Sequence, residues 1–67
     1  MANNYEKFPA EEWHPTHNDA SVEGRYYEDV ANSVWVCEKR ASGEVISTEQ
    51  AASIEEAYAL FLVVLRS

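Results

Sequence analysis

The sequence predicts a small α+β domain: a three-stranded antiparallel sheet, one C-terminal helix packed on one face of it, and an extended N-terminal arm. The chain has 67 residues, a length that fits one domain. Short segments rich in β-branched and aromatic residues alternate with turn signals in the middle of the chain, and an apolar stripe at helical spacing lies near its end. We therefore assign residues 1–21 to the arm and residues 22–67 to the domain.

The N-terminal third contains both prolines, Pro9 and Pro15, and follows neither the helical nor the strand period. Each proline disfavours helical backbone at the residue before it, so we expect an extended arm with one helical turn after Pro9, over residues 10–13. Large aromatic side chains such as Trp13 are costly to leave in water. The arm is therefore expected to lie against the domain.

A first strand is predicted over residues 22–30. Tyr26 and Tyr27 are favoured in strands, and Gly24 indicates a bulge, because a glycine inside a strand often marks one. The Ala-Asn-Ser sequence at residues 31–33 is typical of a turn and ends this strand.

The second predicted strand, residues 34–39, has the strongest strand composition in the chain. Its two valines face one side of the sheet, while Trp35 and Cys37 face the other. Residues 40–44 contain a glycine and predict a hairpin loop, which makes residues 45–48 the return strand.

The C-terminal helix is predicted over residues 54–66. Ser53 is a candidate N-cap and Glu56 follows three residues later, which is the spacing of a capping box. The apolar stripe that we assign to the sheet contains Ile54, Ala57, Tyr58, Phe61, Leu62 and Leu65.

Three further apolar residues, Leu60, Val63 and Val64, lie outside that stripe and make the second half of the helix apolar on nearly every side. A helix of this kind is buried all round, whereas one small sheet covers only part of it. Three alternatives stay open: the arm folds over this surface, a second copy or another partner covers it, or residues 62–64 continue as a strand. The second alternative makes these three residues a self-association surface.

One group of side chains has the residue types of a metal site: Glu12, His14, His17 and Asp19. Pro15 disfavours the helix that would place the two histidines on one face, and no further ligand completes a site. We expect a polar arm with solvent-facing histidines, and neither a metal nor any other cofactor.

Cys37 is the single cysteine, which excludes an intramolecular disulfide. It lies in the middle of a predicted strand beside Glu38, whose negative charge disfavours a thiolate. We therefore predict a buried structural thiol rather than a nucleophile.

Adjacent carboxylates occur at residues 11–12, 28–29 and 55–56. General acid–base catalysis needs a carboxylate in an apolar pocket, but adjacent side chains in a strand point to opposite faces, and the third pair is explained by helix capping. The two glycines, Gly24 and Gly43, do not form a phosphate-binding loop. The protein is predicted not to be an enzyme.

The chain carries 12 acidic and 5 basic side chains, a formal net charge of −7. This balance argues against direct binding to nucleic acid, whose phosphates repel it. It fits either a solvated, soluble surface or a negative face that meets a basic groove on a nucleic-acid-handling protein. For the second interpretation the candidate partner-binding residues are Glu23, Tyr26, Tyr27, Glu28, Asp29, Glu38 and Glu44.

Neither a signal peptide nor a membrane span is predicted. The N-terminus lacks a basic segment followed by an apolar one, and the longest apolar run, residues 57–65, is well short of the roughly 20 residues that cross a bilayer. We expect a cytoplasmic protein, in the host cytoplasm if it is encoded by a phage.

The segment from Trp35 to Ala57 combines a Trp-led strand, a short turn, a return strand and the helix start Ser53-Ile54-Glu55-Glu56-Ala57. It resembles the central part of the small RNA-polymerase-inhibiting proteins of T7-like phages, which have a Trp-led strand, a hairpin and a capped helix opening Thr-Leu-Asp-Glu-Ala at similar spacing. Small acidic phage proteins that inhibit CRISPR effectors are similar in size and charge. The resemblance implies a host inhibitor and assigns no site residue.

Size, charge and resemblance together predict a non-enzymatic acidic binding protein. We expect a phage-type inhibitor that acts as a nucleic-acid mimic and occludes a basic surface of a host CRISPR effector, RNA polymerase or nuclease. The alternatives are a small structural or regulatory homodimer and an antitoxin-like partner of a basic toxin.

Overall fold

An antiparallel sheet of four strands and one C-terminal helix form the computed structural model, which describes residues 7–66. The strands lie side by side in chain order. The elements are β1 His14–Pro15, β2 Val22–Asp29, β3 Val34–Ala41, β4 Glu44–Ala51 and α1 Ile54–Leu65. The predicted α+β class is confirmed, with one strand more than predicted. Residues 1–6 of the predicted arm and Ser67 of the predicted domain lie outside the described residues.

The additional strand is β1, which lies inside the predicted arm and is two residues long. It pairs antiparallel with β2, with His14 opposite Gly24 and Pro15 opposite Glu23. A strand this short that contains a proline shows no strand period, so the sequence pattern does not reveal it.

The arm follows the edge of β2 on both sides of β1. The Glu11 N–H donates to the Tyr26 carbonyl and the Thr16 N–H donates to the Val22 carbonyl, both at 2.8 Å. These bonds satisfy backbone groups on an edge that otherwise faces solvent. The helical turn predicted over residues 10–13 is wrong, because Glu11 has a φ of 74° and its N–H bonds to β2 instead.

A 3₁₀ turn, Val30–Asn32, joins β2 to β3 close to the turn predicted at residues 31–33. Asp29 caps it, since its carboxylate accepts hydrogen bonds from the Asn32 backbone N–H at 3.3 Å and from Asn32 Nδ2 at 2.9 Å. Ser33 then takes a left-handed conformation with a φ of 56° and leads the chain into β3.

The β3–β4 hairpin turns in two residues, Ser42 and Gly43, whose φ angles are 53° and 83°. Positive φ at both positions is characteristic of a type I′ turn, whose twist matches that of paired strands. The loop is therefore shorter than the predicted residues 40–44. The return strand is correspondingly longer than the predicted residues 45–48, since β4 contains 8 residues.

A bulge interrupts β4. Lys39 pairs with Ser47, but the next residue of β3, Arg40, pairs with Val45. Ile46 is therefore the extra residue that has no partner on β3.

Gly24 is not at a bulge, contrary to the prediction, because β2 and β3 pair without a register shift. A Cβ built at this position would lie 2.8 Å from Val64 Cγ1 of α1. A larger residue here would force the Val64 side chain to shift, so the glycine allows the helix to approach β2 closely.

The helix begins after the predicted N-cap, Ser53, and the predicted capping box is present in modified form, because the Glu56 side chain bonds to the residue before the N-cap. Ser53 Oγ accepts a hydrogen bond from the Glu56 N–H at 3.2 Å, and Glu56 Oε1 accepts one from the Ala52 N–H at 2.7 Å. Two backbone donors that no helical carbonyl can reach are thereby satisfied.

Six buried residues of the described part of the chain form the core between the sheet and α1: Tyr26, Cys37, Ala51, Ala57, Phe61 and Leu65. The three helical members are four residues apart and form one ridge along α1. Burying a side chain the size of Phe61 or Leu65 contributes about 1.5–3 kcal/mol. The predicted alternation of β3 is also confirmed, because Cys37 belongs to this core while Val36, which is buried as well, lies outside it.

The three apolar residues on the other side of α1 have different environments. Leu60 and Val64 are half-buried and pack against the core, whereas Val63 is 56% exposed. The arm covers the end of the helix, where the His17 N–H donates to the Leu65 carbonyl at 2.8 Å. The predicted self-association surface is thus reduced to one strongly exposed residue.

Candidate protein-binding surface

The sheet has one face covered by α1 and an opposite face, which we call the open face. Because Tyr26 and Cys37 point toward the helix, the residues next to them in β2 and β3 point to the open face. The open-face residues in the middle of these strands are Glu23, Arg25, Tyr27, Val36, Glu38 and Arg40.

Two ion pairs cross between β2 and β3 on the open face. Arg25 Nε lies 2.8 Å from Glu38 Oε1, and Arg40 Nε lies 2.8 Å from Glu23 Oε1. Each pair joins residues that are directly opposite in the strand register, which is the arrangement in which cross-strand charges interact best. All four side chains are less than a third exposed.

Trp13 of the arm covers both guanidinium groups. The Arg40 Cζ lies 4.1 Å from the centre of the indole ring, and the Arg25 Cζ lies 4.6 Å from it. Cation–π contacts at these distances contribute about 0.5–2 kcal/mol each. We call Trp13 together with the two ion pairs the arginine cluster. Its charges cancel, so the middle of the open face is close to neutral.

Tyr27 extends the arginine cluster along β2. Its ring centre lies 4.8 Å from the Arg25 Cζ. Burial and the nearby Glu38 carboxylate raise the pKa of the Tyr27 hydroxyl above its ordinary 10.0, with the Arg25 charge opposing them. The hydroxyl is therefore neutral at physiological pH and can donate a hydrogen bond.

Three of the predicted partner-binding carboxylates already have internal bonds. Glu23 is paired with Arg40, Glu38 is paired with Arg25, and Asp29 caps the 3₁₀ turn. A partner that contacted any of these carboxylates would have to compete with an existing bond.

The other predicted partner-binding residues differ in exposure. Glu28 and Glu44 are exposed, and Tyr27 is half-buried. Tyr26 is wrong as a surface anchor, because it is 0% exposed and its hydroxyl donates to the Phe8 carbonyl at 2.6 Å. Of two adjacent tyrosines in a strand, one must face the core, and the sequence alone does not say which.

Sequence reasoning missed the most exposed part of the sheet, which is β4. All residues from Glu44 to Gln50 are exposed, because α1 packs mainly on β2 and β3. They include two apolar side chains, Val45 at 47% exposure and Ile46 at 55%, and the carboxylate of Glu49. The sequence signal for the full length of β4 is the Ser-Gly turn, since a two-residue hairpin makes the return strand pair along the whole of β3.

Cys37 is buried, as predicted. Burial raises the pKa of its thiol from 9.0 to about 11, and the negative charges of Glu49 and then Glu38 add to the effect. The group is therefore a neutral thiol at physiological pH, and a nucleophile needs the thiolate.

The two histidines of the arm are not alike, and the prediction that both face solvent is wrong for His14. Its ring is half-buried and makes edge contacts with Phe8 at 5.2 Å and Phe61 at 5.6 Å between ring centres, whereas His17 is exposed. Within residues 7–66, no three His, Cys, Asp or Glu side chains come close enough together to hold a metal ion.

A small cavity of about 240 Å³ lies between the arm and the end of α1. Ligand pockets usually measure about 300–1,000 Å³. Among residues 7–66 its lining consists of Lys7, Phe8, His17, Leu62, Leu65 and Arg66, none of which has a carboxylate, hydroxyl or thiol side chain. The described lining therefore offers no carboxylate acid–base pair.

Comparison with known proteins identifies no relative, since no protein-family model matches the chain and neither a curated protein nor a solved structure resembles it significantly. Over the described residues, α1 is too short to span a bilayer. Over residues 7–66 the chain is a small α+β domain with an acidic exterior and one exposed sheet edge, that of β4.

Proposed function

We propose that the protein is a non-enzymatic acidic binding protein that occludes a basic surface of a nucleic-acid-processing or defence complex. The partner classes that fit this chemistry are a CRISPR effector, an RNA polymerase and a nuclease, each of which binds phosphates through clustered cations. A phage-type inhibitor acting in the host cytoplasm is the form of this proposal that agrees with the size and charge of the chain.

The observation that supports the proposal is how the basic side chains are used. Arg25 and Arg40 are held inside the arginine cluster, which leaves Lys7, Lys39 and Arg66 as the other cations of residues 7–66. The exposed surface is consequently dominated by carboxylates: Glu11, Glu12, Asp19, Glu28, Glu44, Glu49, Glu55 and Glu56.

Such a surface carries out two steps of inhibition by electrostatics alone. Its negative potential accelerates encounter with a basic groove, and carboxylates placed where phosphates bind repel nucleic acid from the same groove. No chemical step is required of the inhibitor, which agrees with the neutral Cys37 thiol.

The test is inhibition of three purified systems: transcription by RNA polymerase, target cleavage by a CRISPR effector, and hydrolysis by a basic nuclease. We expect inhibition of at least one of them, weakening by about tenfold or more between about 50 and 200 mM salt. The proposal is contradicted if the protein, at micromolar concentration, neither binds nor inhibits any of the three systems.

A pair of variants with equal net charge separates a specific acidic surface from charge alone. The Glu28→Gln/Glu44→Gln double variant removes two exposed carboxylates, and the Ala20→Lys/Ala59→Lys control adds two cations at exposed positions that are not acidic. We expect the first to lose inhibition by about tenfold and the control to retain it. Equal losses in both variants would show that net charge alone is responsible.

A further inference from the structure

The outer edge of β4 is an unoccupied position in the sheet. Among residues 7–66, β4 has one neighbour, β3, and it ends the strand order. It is 8 residues long, and only Ala51 at its end is buried. An edge of this kind presents a row of free backbone N–H and C=O groups to an extended segment of another chain.

The bulge at Ile46 places two carboxylates of β4 on one face. Glu44 pairs with Ala41 and Glu49 pairs with Cys37, and these two β3 residues point to the same side of the sheet because they are four apart. In an unbroken strand, residues 44 and 49 would point to opposite sides. The bulge thus brings both carboxylates to the face that carries α1.

The other face of β4 is less charged. Val45 pairs with Arg40 and Thr48 pairs with Glu38, so both lie on the open-face side. The apolar exposed area is concentrated near the hairpin, where Val45 is 47% exposed and Ile46 is 55% exposed. An added strand would therefore meet carboxylates on one face, and aliphatic and hydroxyl side chains on the other.

We infer that β4 docks an extended basic segment of a partner protein as a fifth strand of the sheet. Backbone hydrogen bonds supply the general affinity in this mode, and alternate side chains supply the specificity. Lys or Arg residues of the segment face Glu44 and Glu49, while aliphatic residues lie beside Val45 and Ile46. The inference rests on the proposed function for the nature of the partner and names the element that contacts it.

Charge complementarity favours a basic segment over a second copy of this chain. No lysine or arginine occurs from Glu44 to Ala51, so two paired copies of β4 would bring four carboxylates together without a cation on either strand. Each copy would also carry the full net charge of −7, and like charges at an interface oppose association.

The experiment is a titration of the ¹⁵N-labelled protein with a blocked eight-residue peptide that alternates lysine with valine and threonine. The control peptide has glutamate in place of every lysine. With the lysine peptide we expect amide shifts concentrated in residues 44–51 and slower hydrogen exchange at alternate β4 amides, which is the signature of an added strand. The glutamate peptide should leave both unchanged.

Variants of equal net charge sharpen the test. We expect Glu49→Lys to weaken binding of the lysine peptide by about tenfold or more, and the Ala20→Lys/Ala59→Lys control to bind within about twofold of the original protein. Exchange protection of the free Glu49→Lys protein in β2 and β3 verifies that it is folded.

Three outcomes contradict the inference. Shifts spread over the acidic surface without new protection in β4 would indicate loose charge attraction, and the absence of binding would show that the edge is closed to strands. Concentration-dependent protection of β4 in the protein alone, with a doubled mass in solution, would make a second copy the occupant.

Failure of the inference is distinguishable from failure of the proposed function. If the lysine peptide adds to β4 but none of the three purified systems is bound, the edge is a strand acceptor and the proposed function is wrong. If one system is inhibited equally by the original protein and by Glu49→Lys, the proposed function stands and β4 is not the docking element.

Discussion

The outer edge of β2 is covered by the chain's own arm, whereas the outer edge of β4 faces solvent. At the first edge the arm bonds to β2 from Glu11 to Thr16 and inserts β1, a short strand that contains Pro15. At the second edge, within residues 7–66, an eight-residue strand has one neighbour and contacts the helix less than β2 and β3 do. One edge is thus closed by structure, while the other is left available.

The two edges differ in the features that prevent them from pairing with a strand of another chain. The first edge uses coverage, a very short strand and a proline, all of which prevent a further strand from adding. The β4 edge has only a bulge and the charges of Glu44 and Glu49, which oppose another acidic strand but attract a basic one. Selective availability of this kind is what a binding edge requires.

The largest effect is expected in the core, where the arm and β2 pack against α1. Phe61 is 0% exposed and contacts the rings of Phe8, His14 and Tyr26. Phe61→Ala should cost about 3–5 kcal/mol, which is comparable with the total stability of a domain this small, about 3–5 kcal/mol.

Circular dichroism of Phe61→Ala at 25 °C should therefore show a largely unfolded chain. The matched control is Val63→Ala on the exposed side of α1, expected to change the free energy of unfolding by less than about 0.5 kcal/mol. A folded Phe61→Ala protein with a cooperative thermal transition would contradict this account of the core.

The next effect is a dependence of stability on pH, which arises because Glu49 of β4 lies near the buried Cys37 thiol. The pKa of Cys37 is raised from 9.0 to about 11 in the folded state, by burial first and then by Glu49 and Glu38. The neutral thiol is thus favoured by folding, so its contribution is complete below pH 9 and is lost as the pH rises toward about 11. The free energy of unfolding should fall by about 2–3 kcal/mol across that window.

Urea titrations at several pH values measure this fall, and Cys37→Ala should remove the thiol's part of it. In Glu49→Gln the loss of stability at pH 10 should be smaller. Without the β4 carboxylate, the pKa of the Cys37 thiol in the folded state is raised less. If the original protein and Cys37→Ala lose stability identically, the thiol is not buried as described.

Opening the covered edge should have an intermediate effect. Trp13→Ala removes the ring that lies over Arg25 and Arg40 and should cost about 1–2 kcal/mol. Because Trp13 also holds the arm, the amides of Glu11 and Thr16 should exchange faster, while exchange in α1 changes little. Unchanged exchange at both arm amides would show that Trp13 does not secure this edge.

The smallest effect is expected on β4 itself. Ile46 is 55% exposed at the bulge, so Ile46→Lys should change the free energy of unfolding by less than about 0.5 kcal/mol. The contrasting variant is Val36→Lys, which buries an ammonium group at a position that is 4% exposed and should cost more than about 2 kcal/mol. Equal losses in the two variants would mean that β4 is packed in solution.

Local signals in the sequence predicted those elements whose causes are local. The capping box at Ser53 and Glu56 located the start of α1 because its two hydrogen bonds join residues only a few positions apart. The alternation of β3 likewise gave the correct face for Cys37. The Ser42-Gly43 turn is also a local signal, since a two-residue hairpin turn implies that β4 pairs along the whole of β3.

The remaining features depend on contacts between distant residues. β1 exists because the arm meets β2, and the Arg25–Glu38 pair exists because the strand register places those residues opposite each other. Tyr26 and Tyr27 have nearly the same local sequence context, so only the position of α1 decides which one is buried. The candidate site therefore depends on the strand register. The register pairs Glu23 and Glu38, two predicted docking carboxylates, with Arg40 and Arg25, and it leaves β4 as the exposed strand.

Amide hydrogen exchange of the free protein, measured residue by residue at two protein concentrations, tests the contrast between the edges most directly. We predict protection at Glu11 and Thr16, whose N–H groups bond to β2, and rapid exchange at alternate amides of β4 at both concentrations. Protection along the whole of β4 that does not depend on concentration, or arm amides that exchange as fast as the free amides of β4, would contradict the claim that one edge is covered and the other is open.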